Sequence, residues 1–148
     1  MTYLRPRTLD DILEMKERGD SEGATLEYKS SRLFEQKNDK VFETLSKEVT
    51  ALANAIGGIL IIGLEEDNDR RIANIVPVQD PLRSETWLED GLLSRITPSL
   101  QLSIERIEVE SGHGVSAANP AFEVSNIAIV DGVTLKPGEN DHETLRWN

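Results

Sequence analysis

The segment 45–63, LSKEVTALANAIGGILIIG, constrains the fold more than any other part of the chain. Apolar residues recur in its first half at intervals of three and four, which predicts one buried face of a helix ending at position 56. Gly57 and Gly58 predict the end of that helix, because glycine reaches the left-handed conformation of a helix C-terminus without steric cost. The apolar run that follows, at 59–64, predicts a short strand buried on both faces.

The length and the absence of cysteine limit the class of protein. A chain of 148 residues favours one domain with a core of its own. Without cysteine there are no disulfides and no thiolate metal sites, as in many proteins of a reducing cytoplasm. No apolar stretch is long enough to span a bilayer, and the first residues lack the apolar core of a signal peptide. We therefore expect a cytoplasmic protein with no membrane partner, and leave open whether it forms a homo-oligomer.

The charge is strongly negative overall but not evenly distributed. A net charge of −11 argues against a nucleic-acid partner, because phosphate binding depends on lysine and arginine. Between positions 29 and 47, however, five bases stand against three acids. These bases predict a local strip that contacts phosphates, and the alternative is a solvated helix face of mixed charge. The bases are Lys29, Arg32, Lys37, Lys40 and Lys47.

Periodicity and capping residues predict an α/β (α+β) fold, a mixed sheet flanked by helices in a single compact domain. The predicted helices cover 8–19, 39–56 and 84–96, and the predicted strands cover 25–30, 59–64, 71–78, 100–109 and 122–130. The apolar residues of 100–109 change phase halfway, which predicts a β-bulge near Glu105. We divide the chain into an N-terminal helix at 1–20, the main domain at 21–130 and an irregular polar tail at 131–148.

Several carboxylates lie near the ends of two predicted strands. Glu22 precedes the first strand and Glu27 lies within it, while Glu65 and Glu66 follow the central strand. If the two strands are neighbours, three carboxylates converge beside Lys29. Such a group offers oxygen ligands for Mg²⁺ or Mn²⁺ and a cation near a phosphate, which suits metal-dependent phosphodiester hydrolysis. The alternative is a polar hairpin turn, with Glu27 facing water.

Three motifs occur in an order typical of one family. They are EYKS at 27–30, ALANAIGG at 51–58 and GLEE at 63–66. Together with the later helix and strand, they give the region 12–109 a pattern that resembles the Schlafen AlbA-like domain family, often described as DNA-binding. The resemblance implies a compact α/β domain of the kind found in bacterial transcriptional regulators and in Schlafen proteins.

The resemblance also implies a site. Some Schlafens cleave structured RNA with three carboxylates, two of them spaced as Glu22 and Glu27 are, and the third in the turn after the central strand. The matching positions are Glu22, Glu27 and either Glu65 or Glu66. We take Glu22, Glu27 and Glu65 as the implied catalytic residues, and the same three with Glu66 as the implied ligands of Mg²⁺ or Mn²⁺. The turn acids are glutamates where the family usually has aspartate, and the family's Y-x-R segment is not visible in 111–148.

Three hypotheses about function follow. The first is a nucleic-acid-binding domain, a regulatory or defence-related module whose five bases contact DNA or RNA. The second is a metal-dependent endoribonuclease acting on structured RNA through Glu22, Glu27 and Glu65. The third is a protein-interaction module without nucleic-acid binding, which the net acidity favours. Bases on one exposed face would favour the first, converging carboxylates the second, and neither feature the third.

Overall fold

The computed structural model describes residues 5–23, 25–54, 58–78, 85–97, 100–109, 125–135 and 146–147. In these ranges the helices are α1 (Leu9–Arg18), α2 (Asn38–Asn54), α3 (Glu85–Leu93) and a 3₁₀ helix (Ser31–Glu35). The strands are β1 (Leu26–Lys29), β2 (Ile59–Ile62), β3 (Leu64–Glu66), β4 (Ile72–Ile75), β5 (Ile96–Thr97), β6 (Leu100–Val109), β7 (Ser125–Leu135) and β8 (Arg146–Trp147). No helix among the described residues is both long and apolar enough to cross a membrane.

Four strands form a mixed sheet in the order β1-β2-β7-β6. Strand β1 runs parallel to β2, with Leu26 opposite Ile59, whereas the β2–β7 and β7–β6 pairs are antiparallel. Two smaller antiparallel pairs, β3–β4 and β5–β8, accompany this sheet. The predicted mixed sheet flanked by helices is confirmed, and β2 is an interior strand as the apolar run predicted.

Both faces of the sheet are covered, which explains the unbroken apolar run of β2. Leu60 and Ile62 pack into a core shared with α2 and α3. Ile59 and Ile61 pack into a second core, shared with α1 and the β3–β4 hairpin. All four side chains are at least 96 % buried. A strand with a core on each side has no solvent face and therefore no polar alternation.

The same two cores explain the phase change in β6 without the predicted bulge. Ile104 packs into the α2–α3 core, whereas Ile107 and Val109 pack into the α1–hairpin core. Pairing with β7 is regular from Ser103 to Val109, and the register shifts earlier, between Gln101 and Ser103. The prediction of a bulge near Glu105 is therefore wrong, because it assumed that only one face of the strand is buried.

Gly58 permits the close approach of β1 and β2. Its φ is 152°, and a Cβ built there would collide with the backbone carbonyl of Thr25 just before β1. This φ is far from the left-handed helical value near +57°, so Gly58 itself does not form the predicted helix cap. The predicted cap at Gly57 lies outside the described residues, and the described part of α2 ends at Asn54.

The region predicted as an irregular tail is partly ordered. Strand β7 continues to Leu135, and the short strand β8 pairs with β5. The start of the predicted strand at 122–130 and the remainder of the tail lie outside the described residues. By contrast, α1 has the predicted ends: Thr8 and Asp11 form a capping box, and Gly19 ends the helix with a φ of 74°.

Candidate functional site

Strand β1 directs two polar side chains toward one face of the sheet. Leu26 and Tyr28 are buried in the α1–hairpin core, so alternation places Glu27 and Lys29 on the side of α2. A single residue, Gly63, separates β2 from β3. Its backbone N–H donates to the Lys29 carbonyl at 2.7 Å. This hydrogen bond ties the start of the β3–β4 hairpin to the end of β1, which brings the hairpin acids close to Glu27.

Glu22 is held beside β1 by hydrogen bonds of both its backbone and its side chain. Its backbone N–H donates to the Arg70 carbonyl at 2.8 Å, and its Oε2 accepts from the Tyr28 N–H at 2.8 Å. Its carboxyl group also lies within hydrogen-bonding reach of those of Glu27 and Glu66. We call Glu22, Glu27 and Glu66 the carboxylate cluster.

The pKa values of all three members of the carboxylate cluster are raised, by burial and by contact between the carboxyl groups. The hydrogen bond with Glu22, assisted by burial, raises the pKa of Glu66 from 4.5 to about 7. Burial is the main cause that raises the pKa values of Glu22 and Glu27. Although the side chain of Glu66 is exposed, its shift is the largest, because it carries the proton of the hydrogen bond to Glu22.

A lysine and a fourth glutamate complete the surroundings of the cluster. The Lys29 Nζ lies 3.3 Å from the Glu48 carboxylate and 3.8 Å from that of Glu27. Glu48 belongs to α2, and the sequence reasoning did not identify it. It lies beside the apolar stripe of that helix, between Leu45 and Leu52 in the sequence. Leu45 and Leu52 are buried, whereas Glu48 is only partly buried. An acid at the border of a buried stripe needs a cationic partner, and that signal could have identified it.

Glu65 does not join the carboxylate cluster. Its Oε2 accepts a hydrogen bond from the Arg32 Nε at 2.8 Å and a longer one, of 3.4 Å, from the Ser30 Oγ. The register of the β3–β4 pair shifts between Glu65 and Glu66. Of the two turn acids, the structure therefore places Glu66 with Glu22 and Glu27. The catalytic and metal-binding roles implied for these residues stay predictions.

The five predicted phosphate-binding bases are in different environments. Lys29 contacts the carboxylate cluster, Arg32 pairs with Glu65, and Lys40 pairs with Glu43 at 3.5 Å. Lys37 and Lys47 have no ion pair with a described residue. Lys37, Lys40 and Lys47 are exposed. Lys40 and Lys47 lie within about 20° of one another around the axis of α2, at 100° per residue, and Lys37 directly precedes the helix. We call these three residues the α2 lysine face.

The cluster has suitable chemistry for Mg²⁺ or Mn²⁺, but not the arrangement. Carboxylate oxygens are the donors that these ions prefer. Within the described ranges, however, no three acidic, histidine or cysteine side chains are placed so that they could hold one ion. The carboxyl contacts are pairwise, with Glu22 between Glu27 and Glu66, which is an arrangement that shares protons. As positioned, these residues do not form a metal site.

Comparison with known proteins places the chain in a family. The family model described as "Schlafen, AlbA_2" matches residues 22–144. One similar structure is the N-terminal domain of a RecG-related protein from Nitrosomonas europaea, with 21% identity and a TM-score of 0.55. That match covers 88% of this chain and 76% of the other.

A second similar structure is the DIP2311 protein from Corynebacterium diphtheriae, with 18% identity and a TM-score of 0.51. It covers 91% of this chain but only 22% of that protein. At these identities the two structures show a shared fold alone. No curated protein matches the chain. The family model covers most of the sequence, and the chain therefore belongs to the Schlafen AlbA_2 family.

Proposed function

We propose that this chain is a nucleic-acid-binding domain that contacts phosphates through the α2 lysine face. The observation that carries the proposal is the placement of the exposed Lys40 and Lys47 on one side of α2, with the exposed Lys37 directly before the helix. Two of these ammonium groups, on Lys37 and Lys47, have no carboxylate partner among the described residues. Such groups are available to neutralise phosphates, and the release of counterions from the nucleic acid then drives binding.

The family and the structural likeness support a nucleic-acid-related role. The similar structure from Nitrosomonas europaea comes from a protein whose name relates it to an ATP-dependent DNA helicase. We further propose that the domain has a regulatory or defence-related role, as the family resemblance implies. The net charge of −11 limits binding to a small area and predicts modest affinity with a strong dependence on salt.

The test measures binding to mixed-sequence RNA and DNA duplexes by fluorescence anisotropy at a series of salt concentrations. Three lysine–phosphate contacts predict a slope of log K against log salt of about −3. Lys47→Glu should lower affinity several-fold on every sequence. Lys16→Glu is the matched control, because Lys16 is an exposed lysine of α1 and its reversal changes the net charge equally. Salt-independent binding, or an equal loss in both variants, would contradict the proposal.

The carboxylate cluster favours a second candidate, a metal-dependent endoribonuclease acting on structured RNA. Its support is the convergence of Glu22, Glu27 and Glu66 beside Lys29, together with the family resemblance. Because the carboxylates do not form a metal site as positioned, binding of Mg²⁺ or Mn²⁺ would require these side chains to turn. Lys29 would remain as a fixed cation near a bound phosphate.

Cleavage of a folded tRNA with Mg²⁺ or Mn²⁺ tests this second candidate. Activity should stop with a chelator and in Glu27→Gln, which keeps the volume of the side chain and removes its charge. Glu35→Gln is the control, since Glu35 is an exposed acid at the end of the 3₁₀ helix. Cleavage that survives the chelator and Glu27→Gln would contradict this candidate. If the chain shows no cleavage and no salt-dependent binding, the protein-interaction module becomes the favoured hypothesis.

A further inference from the structure

The Glu65–Arg32 ion pair joins a mostly exposed guanidinium to a mostly buried carboxylate. The Arg32 side chain is 64% exposed, whereas that of Glu65 is 27% exposed. Glu65 also accepts a hydrogen bond from the Ser30 Oγ, so part of its bonding remains if the guanidinium leaves. Arg32 belongs to the short 3₁₀ helix, and of its side chain only the Nε is bonded to Glu65.

Glu65 lines a groove that borders the carboxylate cluster, and Arg32 reaches this groove through its bond to Glu65. The groove has a volume of about 340 Å³, and Ser30 and Glu65 are among the residues that line it. Lys29, Glu66 and Asn74 also line it. It is open to solvent through exposed residues, and it offers hydroxyl, amide and ammonium groups that can donate to a phosphate.

We propose that Glu65 holds Arg32 in reserve, and that a nucleic-acid phosphate entering this groove takes the guanidinium from Glu65. The inference rests on the proposed nucleic-acid binding and assigns Glu65 a role outside catalysis. A carboxylate and a phosphate present similar paired oxygens, so the guanidinium exchanges one charge-assisted partner for another. In the free protein Glu65 neutralises Arg32 and places a negative charge beside the groove, and both effects weaken the binding of phosphate.

The size of the effect follows from the exposure of the pair. An exposed ion pair is worth little, so releasing Arg32 should strengthen binding roughly two- to fivefold. The gain should depend on Arg32, because only the released guanidinium gains a phosphate. Arg32 should also account for a slope of about −0.9 in the salt titration, as expected for one phosphate contact.

A double-mutant cycle tests the exchange. The full chain would be compared with Glu65→Gln, Arg32→Gln and the double variant, using the mixed-sequence RNA duplex and the salt titration described above. Glu65→Gln should bind two- to fivefold more tightly. Arg32→Gln should bind more weakly with a shallower slope, and the double variant should lose the gain. Glu35→Gln removes the same charge from the far end of the 3₁₀ helix and should have a smaller effect.

Three outcomes would overturn the exchange. An equal gain from Glu65→Gln with and without Arg32 would reduce it to a general charge effect, as would an equal gain from Glu35→Gln. Weaker binding in Glu65→Gln would assign Glu65 a direct role in holding the ligand. If the unmodified chain binds with salt dependence but Glu65→Gln has no effect, only the exchange is wrong. If no variant binds, the proposed function is wrong as well.

Discussion

The carboxylate cluster and the α2 lysine face are built in opposite ways. The cluster joins residues from a loop, a strand and a hairpin, and each carboxylate is placed by hydrogen bonds to other elements. The lysine face comes from α2 and the residue directly before it, at spacings of three and seven residues. Burial and mutual contact raise the pKa values of the cluster. The lysines are exposed, and the one ion pair among the described contacts of this face, Lys40–Glu43, is also exposed.

The difference separates two kinds of charged site. The cluster concentrates like charges where they share protons, so its properties depend on how tightly β1, β2 and the hairpin approach one another. The lysine face depends on helix geometry alone, and it tolerates small changes in the surroundings. Changes in packing should therefore affect the cluster strongly, whereas changes of single surface charges should affect the lysine face weakly.

The largest expected effect comes from the strand that supports both regions. Ile61 of β2 is fully buried in the core shared with α1 and the β3–β4 hairpin, so Ile61→Asp would place an unpaired carboxylate in the interior. We expect a loss of more than about 4 kcal/mol, which abolishes folding. Ile61→Val should cost only about 1 kcal/mol. Urea denaturation followed by circular dichroism measures both, and a cooperative transition of Ile61→Asp near the original midpoint would disprove the position of β2.

The next effect concerns the close approach of β1 and β2, on which the carboxylate cluster depends and the lysine face does not. In Gly58→Ala the new Cβ would meet the Thr25 carbonyl and force β1 away from β2. We expect a destabilisation of about 2–4 kcal/mol from the clash and the strained φ. Gly23→Ala is the control, because a Cβ there has open space around it, and it should stay within about 0.5 kcal/mol. If the two variants are equally stable in urea, β1 and β2 do not approach closely enough at Gly58 for a Cβ to meet the Thr25 carbonyl.

A smaller effect concerns pH. The folded-state pKa of Glu66 is raised from 4.5 to about 7, so the unfolded chain releases this proton at a lower pH than the folded chain does. The folded state is therefore relatively favoured below pH 4.5, and this contribution is lost as the pH rises through about 7. Glu66→Gln should flatten the fall in stability across this range, whereas Glu43→Gln should not. Parallel curves of Tm against pH for all three proteins would contradict the shared proton.

The smallest effect concerns the lysine face. The Lys40–Glu43 pair is exposed at both ends and joins residues three apart on α2 at 3.5 Å. Lys40→Ala should therefore change the free energy of unfolding by less than about 0.5 kcal/mol. Thermal unfolding measured at low and high salt would check this. A change above about 1 kcal/mol would mean that the lysine face, like the cluster, depends on tertiary contacts.

Local chemistry was sufficient to predict several elements. The capping residues of α1 act within a few residues of the chain, and the structure has both ends as predicted. The apolar run of β2 indicated burial on both faces, because a strand with one face in water commonly alternates apolar and polar residues. The bulge predicted near Glu105 was wrong because a single strand does not reveal which faces of its sheet are covered.

The sequence by itself determined the three α-helices, the central buried strand and the likeness to the Schlafen AlbA_2 family. These depend on spacing along the chain, which fixes which side chains share a face. Only the tertiary structure decided that Glu66 joins Glu22 and Glu27, that Glu65 pairs with Arg32, and that Glu48 holds Lys29. Glu65 and Glu66 are identical in chemistry and adjacent in sequence. The register of the β3–β4 pair, set by packing across the sheet, distinguishes their surroundings.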